Sequence, residues 1–479
     1  MSHEIRADYG EQLLFPPALE DYVPTDHVAR FIRDVVDALD LRVLGFSVRE
    51  SIEGRPNYSA DLLLKVWLYA YVMRIRSSRR VEQACRDHVA LLWLTGRHTP
   101  DHNTLWRFFA EHRSQMKGLF KRVVQLAAHA GMVEMALHAV DGTRIKARSS
   151  NRTGWHTAAL QKALGRLDAL IEVGMQEIER SEQMEADPPR LPDHLLDAQQ
   201  RRALIAVKLR ELEHLQKTHH HPLEPDARVQ QAGPERAFGF NAQAVVDAAH
   251  GIVVAEAVVE QENDFNMLLP MMQEVESVIG CVATDTVADA GYASSAEFGR
   301  LERAGLEATV ALPRSLQSSK EPYAASNFTY NAEADVMICP RNETLPYLQK
   351  KPQHGYEVKV YQCQSAASCP VRAQCCTNKR GRLVKLNPEY LSVQRQQLRH
   401  NNPVHRQNLR RRKELIELVF AQIKEHERFR RWTVRGLRKV RAEWSFLLTV
   451  YDLKRIYARW KQIRLSLPRC GSLPAASAT

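Results

Sequence analysis

Apolar positions in the first third of the chain recur at helical spacing. In Asp26–Leu41, residues Val28, Phe31, Ile32, Val35, Val36 and Leu39 mark one helix face. Gly54-Arg55-Pro56 breaks the pattern. Ser59 then stands where it would cap the strongly apolar ADLLLKVWLYAYVMRI, and Ser78 where it would cap RRVEQACRDHVALLWL. A turn at Gly96–Pro100 precedes a further helix, DHNTLWRFFAEHR. Residues 1–135 therefore read as an all-α domain whose short helices and tight turns are compatible with a helix-turn-helix unit.

At Met135–Arg148 the pattern switches to alternation, which predicts a strand carrying Asp141, followed by Gly142. From Trp155 to Thr218 helical spacing returns on both sides of a Pro-rich break at Asp187–Pro192, the mark of an inserted antiparallel helical hairpin or coiled coil. FNAQAVVDAAHGIVVAEAVV (239–259 region) then reads as a β-hairpin. Asn263 and Asp264 are placed to cap a helix, and Val282–Ala288 is a short strand running into Asp289. Ser294 opens a helix, and Glu307–Leu312 is one more strand. Residues 315–386 are polar, turn-rich and Cys-rich, a second insert. In Pro403–His426, Leu415, Ile416, Val419, Phe420 and Ile423 form a buried helical stripe; Lys413, Glu417 and Lys424 share another face. Trp432, Arg435, Arg438, Arg441 and Trp444 continue a basic helical region, with Trp444, Leu447, Leu448 and Tyr451 spaced as core.

With both inserts removed, the order is strand with Asp141, two strands, helix, strand ending at Asp289, helix, strand, then the Glu417 helix. That order is expected of an α/β, ribonuclease H-like mixed sheet preceded by an all-α domain. The implied segments are 1–135 helical, 136–154 and 226–314 catalytic, 155–225 hairpin, 315–386 Cys-rich insert, 387–465 Glu helix and basic helices, and 466–479 a disordered tail. In such a sheet the first strand's centre and the fourth strand's end lie side by side, with the later helix packed across them.

Charge sharpens this picture. The net charge is +11, and residues 401–465 hold 18 Lys and Arg against 6 Asp and Glu, a net of +12 (18 − 6), so the remainder is about neutral. A polyanion, most simply DNA, fits that concentration. Arg79 and Arg80 sit in a first helical turn, where the helix dipole disfavours cations and phosphate would offset the cost. No apolar run is long enough to span a membrane, and the N-terminus has no signal pattern, so a cytoplasmic protein is expected. Three clustered carboxylates, Asp141, Asp289 and Glu417, suit two Mg²⁺ or Mn²⁺ ions acting on a phosphodiester. Asp285, Asp264 and Asp247 are weaker alternatives as site acids, Asp247 standing before a hairpin turn; Glu414 is the nearest rival of Glu417.

The strings VDGTRIKA, VADAGYAS and RRKELIELVFAQIKEHERFRRWTVRGLRKVRAEW resemble bacterial insertion-sequence transposases of the DDE class. They are most similar to the subgroup with an InsH-type N-terminal domain and a Cys-rich insert, over about Gln12 to Arg459. The resemblance implies a transposase acting on terminal inverted repeats and target DNA, at least dimeric when active and nucleoid-associated. Its alternatives are a nuclease without strand transfer and a catalytically inactive DNA-binding descendant. It implies Asp141, Asp289 and Glu417 as metal ligands, with Lys413 four before the Glu, where Arg is usual, and Lys424 seven after. Arg411 or Arg412 would compensate for Lys413, and Arg410 stands where the family has Tyr. With Arg79, Arg80, Arg435 and Arg438, these bases are the expected DNA contacts. Cys339, Cys363, Cys369 and Cys375 (or Cys376) are candidate ligands of a structural Zn²⁺, although Ala366 stands where the family's Cys-x-x-Cys pairing begins.

Overall fold

The computed structural model describes residues 18–47, 57–182, 193–232, 235–317, 321–353, 356–378 and 380–466. The Gly54–Pro56 break, the Pro-rich break at 187–192 and the C-terminal tail from 467 lie outside them. The chain divides into one compact unit of 1–132 with 442–479, and a second of 133–441. The boundary falls inside the last helix, Leu437–Ser466, so the C-terminal residues group with the N-terminal helices rather than with the Glu417 helix. Among the described residues no helix is long and apolar enough to cross a membrane.

The first unit is helical where spacing predicts it, at Val28–Asp37, Ala60–Val72, Ser78–Asp87, Val89–Thr95 and His102–Glu111, and it has a further helix, Met116–His129. The expected helix from Arg79 to Leu94 is two, because His88 adopts an extended conformation. Ser78 is inside its helix, and Ser77 holds the cap position. Asp101 caps its helix through the N–H groups of Asn103 and Thr104. Trp67 and Tyr71 pack on Phe109, and Phe446 meets Tyr71 edge-on at 4.8 Å, giving the C-terminal helix its place in this core.

The second unit is built on a six-stranded mixed sheet. Its strands are β1 (Leu137–Lys146), β2 (Arg228–Ala232), β3 (Glu235–Asp247), β4 (Val253–Val259), β5 (Asp285–Ala288) and β6 (Thr309–Val310). β3 pairs antiparallel with β1 on one side and with β2 and β4 on the other, while β5 lies parallel to β1 and β6 parallel to β5. With β2 as an added edge segment, this is the ribonuclease H-like order expected from the sequence. β3 is buried from Ala237 to Asp247, and its small residues let helices close on both faces. The insert is a helical hairpin, Thr157–Glu182 and Asp193–His214, in which Gly174 gives Leu195 the room to pack.

The Cys-rich insert is more ordered than its turn-rich sequence suggested. It forms a second sheet of β7 (Thr329–Asn331), β8 (Val336–Ile338), β9 (Thr344–Gln353), β10 (Tyr356–Gln362) and β11 (Leu383–Leu386), an antiparallel meander. Phe328, Met337, Leu345, Tyr361, Val384 and Leu386 form its core.

Asp285, at the start of β5, ties the long C-terminal helices to the sheet. It is 5% exposed and accepts hydrogen bonds from Asn408 Nδ2 (2.8 Å) and Thr309 Oγ1 (3.0 Å), with His405 Nδ1 at 3.0 Å. Its role is structural, because every lone pair faces a protein donor. Asp285→Ala leaves those donors buried and unpaired, so it is expected to cost about 3 kcal/mol, measured as a lowered denaturant midpoint.

Candidate active site

Asp141 and Asp289 reach one place because of strand register. β1 and β5 pair Val140 with Ala288, and the next residue on each strand is an aspartate. Asp289 follows β5 and caps the turn Ala290–Tyr292, accepting from Gly291 N at 2.8 Å. Asp141 Oδ1 accepts from Gly142 N at 2.7 Å, and its Oδ2 is held by Arg412 Nη1 at 2.6 Å. Burial first, and then the charge of Asp289, push the Asp141 carboxyl up to about 6; Arg412 opposes both.

Arg412 comes from the Pro403–His426 helical run, which begins where Asn402 caps Val404 N and Pro403 takes the first turn. Two turns of this run, Lys413–Glu417 and Gln422–His426, are π-helical. Each π-turn shifts the phase of everything after it by about 100° relative to a regular helix. Arg412 lies on the buried stripe, four residues before Ile416 and seven before Val419, while Lys413 and Arg411 are exposed. Ile416, Val419, Phe420 and Ile423 form the buried stripe as expected, and Leu415 is half-buried.

Glu417 ends the first π-turn, exposed, as is Glu414; among the described residues neither makes a hydrogen bond or ion pair. Lys424 is half-buried. Burial first, and then Arg144, lower its pKa, while Glu425 and Asp141 oppose them. Arg79, Arg80, Arg435 and Arg438 are exposed, and Arg441 instead donates from Nε to Val258 O at 2.9 Å. The expected continuous basic helix is broken: residues 427–436 are not helical, and Trp432 N donates to Lys146 O at 3.0 Å, extending the edge of β1.

Asp264 is not a helix cap, because the helix starts later, at Leu268. It lies in the site, 4% exposed, with Oδ1 accepting from Asn241 Nδ2 (2.8 Å) and Gln243 Nε2 (2.7 Å), and Oδ2 from Arg144 (2.7 Å). Two acids of the site are thus paired with bases, Asp141 with Arg412 and Asp264 with Arg144. A signal for Asp264 was present: Asn241 and Gln243 alternate onto one face of a strand that is otherwise apolar, and two buried amides require polar partners. Arg412 carried a signal too: it stands four before Ile416 and seven before Val419, on the apolar stripe of its helix. Asp247 is structural, accepting from Met135 N and Ala249 N at the hairpin turn.

Cys339, Cys363, Cys369 and Cys375 line one cavity of the second sheet with Glu343 and Arg382. Arg341 N donates to Cys339 Sγ at 3.4 Å, and burial raises the Cys363 and Cys375 thiols. Cys376 lies beside them, its Sγ 3.8 Å from Asn378 O. Among the described residues no three His, Cys, Asp or Glu side chains are gathered closely enough to hold a metal ion, here or around Asp141.

Asp141's raised pKa carries a sign for stability. Between about 4 and about 6 the folded chain holds a proton that the unfolded chain releases, so this group's contribution falls as pH rises through that window. Compared with the wild type, Asp141→Asn is therefore expected to gain stability on going from pH 5 to pH 8, read from urea midpoints at both. An unchanged difference would contradict the raised value.

Comparison with protein families finds a Transposase DDE domain over residues 338–457, which contains Glu417 and Lys424, and a Transposase domain (DUF772) over residues 17–111. No curated protein matches the chain. The family implies divalent metal ions, typically Mg²⁺, and DNA as partner. Two transposase matches, with a ribonuclease H-like sheet that sets Asp141 beside Asp289, make the chain similar to the insertion-sequence DDE transposases.

Proposed function

We propose that the chain cleaves DNA at the terminal inverted repeats of its own element and joins the freed 3′ ends to target DNA, with Asp141, Asp289 and Glu417 as its catalytic acids. The observation that carries this is the parallel register of β1 and β5, which sets two carboxylates side by side at a strand end. Their chemistry fits a hard cation. Mg²⁺ is bound through one or two carboxylates, with waters and substrate phosphate completing its shell. After burial, the charge of Asp289 is the second cause of the raised Asp141 pKa, and Arg412 offsets it. A pair of bound Mg²⁺ or Mn²⁺ ions would supply Lewis acidity at the attacking and leaving oxygens.

The chain's own groups set geometry and charge around that chemistry. Arg412 balances Asp141 in the resting protein, and Lys424, twelve residues further along the same run, feels the Asp141 charge. Lys413 and Arg411, on the exposed side, are in position to meet DNA phosphate, as are Arg435, Arg438, Arg79 and Arg80 within their own units. Arg412, turned inward, leaves that group. Glu417 is exposed at the end of its π-turn, where DNA could approach it. In the first reaction water breaks a phosphodiester and leaves a 3′ hydroxyl; in the second that hydroxyl displaces a 3′ oxygen in the target. Joining two ends at once calls for at least a dimer in the active complex. The thiol-lined cavity has no part in these steps, and a structural Zn²⁺ there would need its cysteines drawn together.

The test is incubation of the protein with its gene's flanking DNA and Mg²⁺ or Mn²⁺, mapping strand ends. Cutting at a repeat with joined products is expected, and Asp141→Asn, Asp289→Asn and Glu417→Gln should each lower the rate about a hundredfold or more. Cutting without joined products would point to the nuclease alternative. Specific binding with no metal-dependent cut would point to an inactive DNA-binding descendant. A Glu417→Gln variant as active as the wild type would remove Glu417 from the acids.

A further inference from the structure

The site holds more buried polar structure than three catalytic acids require. Asn241 and Gln243 are fully buried on β3. Gln243 Nε2 donates both to Asp264 Oδ1 and to Asn241 Oδ1, the latter at 3.0 Å, and its Oε1 accepts from the Tyr292 hydroxyl. Tyr292 is itself fully buried, one residue past Gly291 in the turn that Asp289 caps. Arg144 brings β1 into the same network through Asp264 Oδ2. One continuous set of hydrogen bonds thus joins the strand of Asp141, the central strand and the turn of Asp289.

Two glycines record how closely this network fits. A Cβ on Gly142 would stand 2.2 Å from Gln243 Nε2 and 2.5 Å from Asp264 Oδ1. A Cβ on Gly291 would stand 2.9 Å from Asp289 Oδ1 and 3.2 Å from Asp264 Oδ2. Each glycine lies within two residues of one of the paired aspartates. Apolar packing of the same volume would stabilise the sheet at least as well, since buried charges and amides lose their hydration. What a fully bonded network adds is a fixed geometry.

We propose that Arg144, Asp264, Gln243 and Tyr292 form a positioning network that fixes the turn of Asp289 at a set spacing from Asp141, so that the two carboxylates receive one divalent cation together. Asp264 acts through its neighbours and is not a ligand: Oδ1 is occupied by two amides and Oδ2 by Arg144. This inference rests on the reading of Asp141 and Asp289 as cation ligands.

Two variants separate positioning from folding. Tyr292→Phe removes one hydroxyl and almost no volume, and Asp264→Asn keeps the shape and removes the charge. Binding of Mn²⁺ to the full chain, followed by electron paramagnetic resonance, is measured with the melting temperature and with the Mg²⁺ dependence of DNA cutting. Loss of an outer partner of a metal site typically weakens the metal about 10- to 100-fold. A Mn²⁺ affinity lowered by that factor in Tyr292→Phe, still folded at the assay temperature, is the expected result, with excess Mg²⁺ restoring much of the cutting. Wild-type affinity in a folded Tyr292→Phe overturns the proposal, even if Asp264→Asn fails to fold. A wild-type chain that binds Mn²⁺ but cuts no DNA defeats the transposase reading and leaves the affinity comparison decisive for the network. A wild-type chain that binds no Mn²⁺ overturns the network proposal too.

Discussion

Two carboxylates that repel each other have been placed side by side, one in the middle of β1 and one just past the end of β5, and much of the second unit follows from holding them there. A parallel pair offers no choice once its register is set: with Val140 opposite Ala288, the next residues must be neighbours. Two like charges in a buried place are unfavourable, and the rise in the Asp141 pKa expresses that cost. The protein offsets it with cations from different elements. Arg412 arrives from the C-terminal helical run and pairs with Asp141, and Arg144 comes from β1 itself and pairs with Asp264.

Holding a helix against such a site is a separate problem, solved on the other end of β5. Asp285 begins the strand that Asp289 follows, and it is bonded to His405 and Asn408 of the same helical run that supplies Arg412. One short strand therefore carries an anchor at its start and a site acid just past its end. Any displacement of the helix on the sheet would be felt at both. The two π-turns lie beyond the anchored part, where the run passes Asp141 and where an extra residue per turn can re-aim side chains without moving the helix axis far.

The residue pattern carried most of the sheet and its aspartates, for a physical reason. Alternation survives in MALHAVDGTRIKAR because one strand face must be apolar, and the short run before Asp289 is apolar throughout because β5 is covered on both faces. The helical run was equally legible as a helix. Arg412 falls on its apolar stripe, four before Ile416 and seven before Val419, and so faces the sheet, whereas the family pattern points to Lys413, one residue further on. In the Cys-rich insert, polar turns masked a five-stranded sheet whose core rests on residues far apart in sequence, such as Phe328 and Leu386. Long-range pairing of that kind leaves little local trace.

Asp264 shows the limit most clearly. By local rules an Asx pair before an apolar helical run reads as a cap, and a cap asks nothing of the rest of the chain. The residues that reassign it are 20 or more positions away, two amides that a buried strand face should not contain alone, and a glycine on the facing strand with no room for a side chain. Taken singly, Asn241, Gln243, Gly142 and Gly291 have ordinary explanations in hydrogen bonding or turn geometry. Taken through the register that puts Gly142 opposite Gln243, they share one space, and Asp264 is the carboxylate that lies against both glycines. Buried polar groups therefore constrain one another across strands, and a site can be read from what its neighbours are forbidden to be as well as from the acids themselves.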